Sequence, residues 1–194
     1  MHQVVTRIVN WLVGEKIISE EERDIYTFGL RQGIIYLINI ATFVVIGLLA
    51  RTLWGVIIFI GIYMFVRRYA GGYHVVSEVG CYLSSTVIIT FVAWMLGSYQ
   101  FNYQILIGVA LIVTLIMIQL GPVEDAHKPL DSIEVQVYGH RLKVSLLLEW
   151  CLIVTAWVFH YNYIVTAATL GLIAAGVVVL LGWFQSWTGG LRSD

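Results

Sequence analysis

Six stretches of this chain are too long and too apolar to lie on the surface of a water-soluble domain: residues 33–50, 52–66, 80–97, 104–121, 144–160 and 163–182. A helix rising about 1.5 Å per residue needs roughly 17 to 25 apolar residues to cross a hydrocarbon core about 30 Å thick, and most of the six approach that length. The second is short, since about 15 residues rise only about 22 Å. Either Arg51 and Arg67 snorkel to the interface, or the first two segments form a less regular hairpin. With 59% hydrophobic residues, 12% charged residues and a mean hydropathy of +0.85 over 194 residues, the chain is an all-α, polytopic integral membrane protein. Its expected layout is about six spans after an amphipathic N-terminal helix, with the lipid bilayer as its first partner.

Basic residues set the expected orientation. With six spans and the N-terminus inside, Arg7, Lys16, Arg23, Arg31, Arg67, Arg68, Lys128, Arg141, Lys143 and Arg192 are cytoplasmic, and only Arg51 is outside. Both termini and both long polar loops, 67–79 and 122–143, then face the cytoplasm at the cell membrane. The formal net charge of -1 and the scattered cations argue against nucleic acid as a partner. Neither linker, low-complexity tract nor internal repeat divides the chain, so residues 1–194 read as one domain. The run after Met1 is broken by Arg7, Asn10 and Glu15 and lacks a small-residue cleavage site, so targeting is expected to rely on the first span.

The N-terminal region, residues 1–28, opens with Val4, Val5, Ile8, Val9, Leu12 and Val13 at helical spacing, opposite Gln3, Thr6, Arg7, Asn10 and Lys16. This amphipathic helix either lies in the membrane interface or packs on the cytoplasmic ends of the spans. Ser19 followed by Glu22 forms a capping-box pattern, predicting a second helix that runs through Arg31 into the first span.

One short polar interruption carries a pairing that reads as chemistry: Arg67-Arg68-Tyr69-Ala70-Gly71-Gly72-Tyr73-His74, followed at position 81 by Cys81. A thiolate is the nucleophile in cysteine catalysis and needs a base or cation nearby, which histidine usually supplies. In a continuous helix His74 and Cys81 would lie roughly 10 Å apart along the axis, so the backbone between them must bend. Gly71, Gly72 and Gly80 are the residues expected to allow that bend.

This motif, Arg-Arg-x-Ala-Gly-Gly-x-His and then Cys81 at the mouth of an apolar segment, resembles the AgrB family of membrane cysteine peptidases. A second polar loop, with Pro122-Val123-Glu124 and Lys128-Pro129-Leu130, and the run of apolar segments extend the resemblance over most of the chain. It departs at His127, where asparagine is more usual. The family processes precursors of cyclic quorum-sensing peptides. The resemblance implies a cysteine endopeptidase in which Cys81 is the nucleophile and His74 the base, within an active-site loop at 67–81. Arg67, Gly72 and Lys128 would be supporting positions, an AgrD-like propeptide the substrate and a homodimer the assembly, with neither cofactor nor metal required.

Other groups have two readings each. Glu78 either orients the His74 ring as a third member of the site or is a solvated loop carboxylate. Tyr69 and Tyr73 suit the interface or contact substrate, and Arg67 and Arg68 serve topology or an oxyanion. Glu149, inside an apolar segment, is either functional or a structural group between helices. With Gln119 it defines the main alternative, a small transporter or peptide exporter. A zinc site built from His74, Cys81, His127 and His140 matches no familiar ligand spacing. Cys81 and Cys151 both read as reduced, and Cys151 as a packing residue.

Overall fold

The computed structural model describes residues 2–73, 77–98, 102–123 and 131–190. It is nearly all helical, with α1 (His2–Gly14), a 3-10 turn (Glu20–Glu22), α2 (Arg23–Leu49), α3 (Leu53–Ala70), α4 (Glu78–Gly97), α5 (Tyr103–Leu120), α6 (Ser132–Val158) and α7 (Asn162–Gly190). Two compact units are distinguished, residues 1–45 and 46–194.

In the first unit, Val5 and Val9 of α1 are buried with Ile18 against Leu12, Val13, Leu30 and Ile34, so α1 packs along the start of α2. Val4, Ile8 and Trp11, at i, i+4 and i+7, form a second apolar stripe that stays exposed. The helix therefore has a stripe for its neighbour and another suited to an interface, and the two readings of its amphipathicity are compatible. The Ser19–Glu22 box forms as expected: the Glu22 carboxylate accepts from the Ser19 N–H and from its hydroxyl, both at 2.9 Å. Its consequence is α2, which runs unbroken from Arg23 through the first apolar segment. Exposed Ile25, Phe28, Leu37 and Ile40 give α2 an apolar surface of the kind that lipid covers.

In the second unit α7 is the centre, packed by α3, α5 and α6. Small residues let the partners approach closely. A Cβ on Gly171 would stand 2.9 Å from the Ile62 side chain and 3.0 Å from the Phe59 carbonyl of α3, and one on Gly176 would overlap Val113 of α5. The Gly and Ala positions of the last segment thus serve packing within the chain. Two polar ties fix the ends and middle of the bundle. The Tyr163 hydroxyl accepts from the Gly55 N–H at 3.1 Å and donates to the Thr52 carbonyl at 3.2 Å, and Trp150 of α6 donates to Thr114 of α5 at 3.1 Å.

Five helices are long and apolar enough to cross a membrane, spanning Glu20–Leu49, Leu53–Ala70, Val79–Gly97, Tyr103–Leu120 and Asn162–Trp187. The expected span at 144–160 is the exception. It belongs to α6, which is a long helix but carries Arg141, Lys143 and Glu149 in the stretch a span would need. The buried face of α6 comprises Leu142, Ser145, Leu146, Glu149, Ile153 and Ala156, so the carboxylate lies inside the bundle, without a hydrogen-bond partner among the described residues. The second span proves less short than expected, because α3 continues through Arg67 and Arg68 to Ala70.

Candidate active site

The first polar loop is shorter than the sequence implied. Arg67 and Arg68 form the last turn of α3, and the helix stops at Gly71, whose φ of 68° is a left-handed value that glycine accepts without strain. The Gly71 N–H closes the helix on the Arg67 carbonyl at 3.1 Å. Gly72 follows with φ of 113°, and the chain turns onto α7, where the Tyr73 N–H donates to the Val178 carbonyl at 3.0 Å. On its other side the loop pairs with the second one, through a parallel bridge from Gly71 to Val123 and a hydrogen bond from the Val123 N–H to the Ala70 carbonyl at 2.9 Å.

The approach to α7 is close. A Cβ on Gly72 would lie 2.8 Å from the Val178 oxygen and 3.1 Å from the Val179 Cα, and one on Gly182 would lie 2.6 Å from the Gly72 Cα. Two glycines on separate elements are therefore needed for one contact. The guanidinium of Arg67 reinforces it, donating through Nη2 to the Tyr73 carbonyl at 2.7 Å while lying 5.7 Å from the Tyr63 ring centroid. Arg68 pairs instead with the Tyr69 ring, at 5.9 Å.

Cys81 lies in the first turn of α4. Ser77 caps that helix, its hydroxyl accepting from the Gly80 N–H at 3.3 Å and its carbonyl from the Cys81 N–H at 2.8 Å. The first turn carries the positive end of the helix dipole, a setting that favours an anion. The thiol is free and exposed. Gly80 corrects one expectation: it is helical, and the turn between the two spans is made by Gly71 and Gly72 alone among the expected glycines. In the second loop, too, helix α6 begins at Ser132, so 132–143 is helical rather than loop.

The structure thus brings Arg67, Gly72 and Cys81 to one end of α3 and α4. His74 and Lys128 lie outside the described residues, as does His127, and Glu78 is the first residue of α4 with its side chain outside that description. Gln119 is exposed on α5 whereas Glu149 is buried, and Cys151 is a second free, exposed thiol on α6. Two participants escaped the sequence reading. Tyr63 was marked only by its i, i+4 spacing to Arg67, and Gly182 carried no local signal at all.

Fold and site together define an all-α, multi-pass membrane protein with an exposed cysteine at the head of one apolar helix. The chain belongs to the family described as accessory gene regulator B, whose model matches residues 5–186. Among similar proteins is an AgrB-like protein of Clostridium perfringens, 24% identical over 78% of this chain and 77% of its own length. The accessory gene regulator protein B of Staphylococcus aureus is 23% identical over 61% of each chain, and that of Staphylococcus haemolyticus 31% identical over 36% of this chain and 37% of its own. No solved structure matches.

Proposed function

We propose that this chain is a membrane-embedded cysteine endopeptidase that removes the C-terminal tail of a small amphipathic AgrD-like propeptide, with Cys81 as nucleophile and His74 as base. The observation that carries the reading is the exposed, free Cys81 in the first turn of α4, beside a glycine loop pinned to α7 in the residue that precedes His74. The Cys81 sulfur attacks the scissile carbonyl, His74 accepts the thiol proton, and the imidazolium returns it to the leaving amine. The retained peptide is then a thioester on Cys81. Displacement of that thioester by an internal Cys or Ser of the substrate produces a thiolactone or lactone ring, and exclusion of water from the interfacial site favours ring closure over hydrolysis. The cations at the ends of the two polar loops, Arg67, Arg68, Arg141 and Lys143, support a cytoplasmic site, where the substrate is made. A homodimer in the lipid bilayer fits the same family reading.

The test needs no substrate. Iodoacetamide at pH 6.5 should alkylate Cys81 in membranes at least about tenfold faster than Cys151, and His74→Ala should remove the difference, because base assistance raises the thiolate fraction. Equal and slow labelling of the two cysteines in both proteins would sink the dyad.

A transport reading draws on Glu149, buried with neither carboxylate oxygen hydrogen-bonded among the described residues. It requires the charge, whereas the peptidase reading requires only that the side chain fill its place on α6. Glu149→Gln should therefore keep propeptide cleavage within about threefold of the native rate, as a near-isosteric change that leaves a polar side chain of the same size in the buried position. Loss of all product with intact Cys81 labelling would favour transport.

A further inference from the structure

We propose that Ser85 binds the retained, N-terminal segment of the substrate, its hydroxyl donating to the peptide carbonyl that precedes the scissile one. The inference rests on the peptidase reading above. Helix α4 packs against α3 and α7 through one half of its length. Its buried side chains are Ile89, Val92, Ala93, Met95 and Leu96, and that end is pinned where the Leu96 Cδ1 would stand 2.7 Å from a Cβ on Gly55 of α3. None of its described side chains before Ile89 is buried. Along the i, i+4 row that begins at the nucleophile, exposure falls in order: Cys81 is exposed, Ser85 half-buried, Ile89 4% exposed and Ala93 1%. Cys81 therefore stands at the mouth of a seam that opens toward its end of the helix, with Ser85 one turn in.

The Ser85 hydroxyl is also uncommitted. Ser84, Thr86 and Thr90 each donate to a carbonyl one turn back on α4, at 3.0, 2.8 and 2.8 Å, whereas Ser85 makes no hydrogen bond among the described residues. Its usual acceptor would be the Cys81 carbonyl, which already takes the Ser84 hydroxyl beside the helix bond from the Ser85 N–H. A lipid chain gives a hydroxyl at this depth nothing to bond, whereas an extended peptide presents a carbonyl about every 3.4 Å. Cβ atoms four residues apart on a helix are separated by about 6 Å, and the Ser85 side chain leans toward the turn that carries Cys81. An acyl group on the Cys81 sulfur that runs along the seam thus brings the carbonyl of the preceding residue to Ser85. The retained segment is the part that fits there, because the tail must leave whereas the thioester gains from lying against Ile89 and Val92, away from water.

Three small reagents test this in the intact protein in proteoliposomes. N-acetyl-L-leucine p-nitrophenyl ester carries an amide carbonyl one residue before the reacting one, p-nitrophenyl acetate has the same leaving group without it, and iodoacetamide reports the thiol alone. With either ester the Cys81 sulfur attacks the carbonyl carbon, the C–O bond breaks and p-nitrophenolate leaves with the electron pair, while the thiol proton passes to His74. With Cys151 as the internal reference, Ser85→Ala should slow acylation of Cys81 by the leucine ester about 5- to 10-fold, the scale of one lost hydrogen bond, and change its reactions with the other two reagents less than about twofold. Ser85→Thr, which keeps a hydroxyl, should recover most of the leucine-ester rate, and Thr90→Ala should leave all three rates as they are. Parallel slowing of all three reactions in Ser85→Ala would assign Ser85 to the thiol or the helix and overturn the proposal, as would an unchanged leucine-ester rate. A native Cys81 that reacts with none of the three faster than Cys151 would overturn the peptidase reading, and this assignment with it.

Discussion

Replacing Cys81 with alanine is expected to reduce cleavage of the cognate propeptide by about 10⁴-fold or more while the protein keeps its fold, the scale seen when the nucleophile of an acyl-transfer site is removed. The structural half of this expectation follows from where the side chain sits. Cys81 is exposed and free, so truncation opens no cavity and breaks no disulfide. Its backbone keeps the role it has, accepting from the Ser84 hydroxyl at 3.0 Å and donating to the Ser77 carbonyl at 2.8 Å. Alanine also suits the first turn of a helix at least as well as cysteine. The catalytic half follows from the chemistry, because without sulfur there is no thioester and so neither tail release nor ring closure. Mass spectrometry of the propeptide and its two fragments, after incubation with native and variant protein in proteoliposomes, measures both products at once. Tail release at the native rate by the Cys81→Ala protein would end the peptidase assignment.

The second large effect is expected at a residue on another helix that is not itself proposed to touch substrate. Gly182→Ala should lower propeptide cleavage about 100-fold, the cost of displacing a reacting group by roughly 1 Å. Gly182 lies within α7, where alanine is intrinsically preferred over glycine by about 1 kcal/mol, so local helix propensity alone would make the substitution favourable. The added methyl would instead meet the loop, 2.5 Å from the Tyr73 nitrogen and 2.6 Å from the Gly72 Cα. Backbone cannot rotate out of the way as a side-chain tip can, so the Tyr73 to Val178 hydrogen bond must break and the residue before His74 must move. Gly72→Ala should give the same phenotype from the other side. There the cost has two parts, roughly 1 to 3 kcal/mol for a non-glycine residue held at φ of 113° and a similar amount for overpacking against Val178. Gly61→Ala on α3, where a Cβ would meet nothing within 4 Å, is the matched control and should leave activity unchanged. Native cleavage by Gly182→Ala would mean that the loop does not need α7 to hold its catalytic geometry.

The membrane class and the helical segments were legible in the chain because apolar runs of spanning length have one main physical outlet, and the backbone inside lipid must satisfy its hydrogen bonds as helices. The α2 start was legible for a local reason, since the Ser19–Glu22 box needs only four residues to form. The cysteine, the glycine pair and the arginine were visible as residue types whose chemistry and conformational freedom are unusual at a membrane boundary. Helix boundaries were less visible: Arg67, Arg68 and residues 132–143 read as polar loop, yet they continue α3 and α6, because charged residues are good helix formers once a helix emerges from its apolar stretch.

The sequence by itself determined that this chain is an all-α membrane protein with a cysteine at the head of one apolar helix, through composition, hydropathy and motif, which are properties of neighbouring residues. Only the tertiary structure decided that α7 is the central element, that Gly182 receives the loop and that Val123 pairs with Gly71. The physical reason is that these are close approaches between segments separated by tens of residues, set by which surfaces interdigitate at contact distance. A glycine that makes room for a distant backbone looks, in sequence, like any other small residue in an apolar helix.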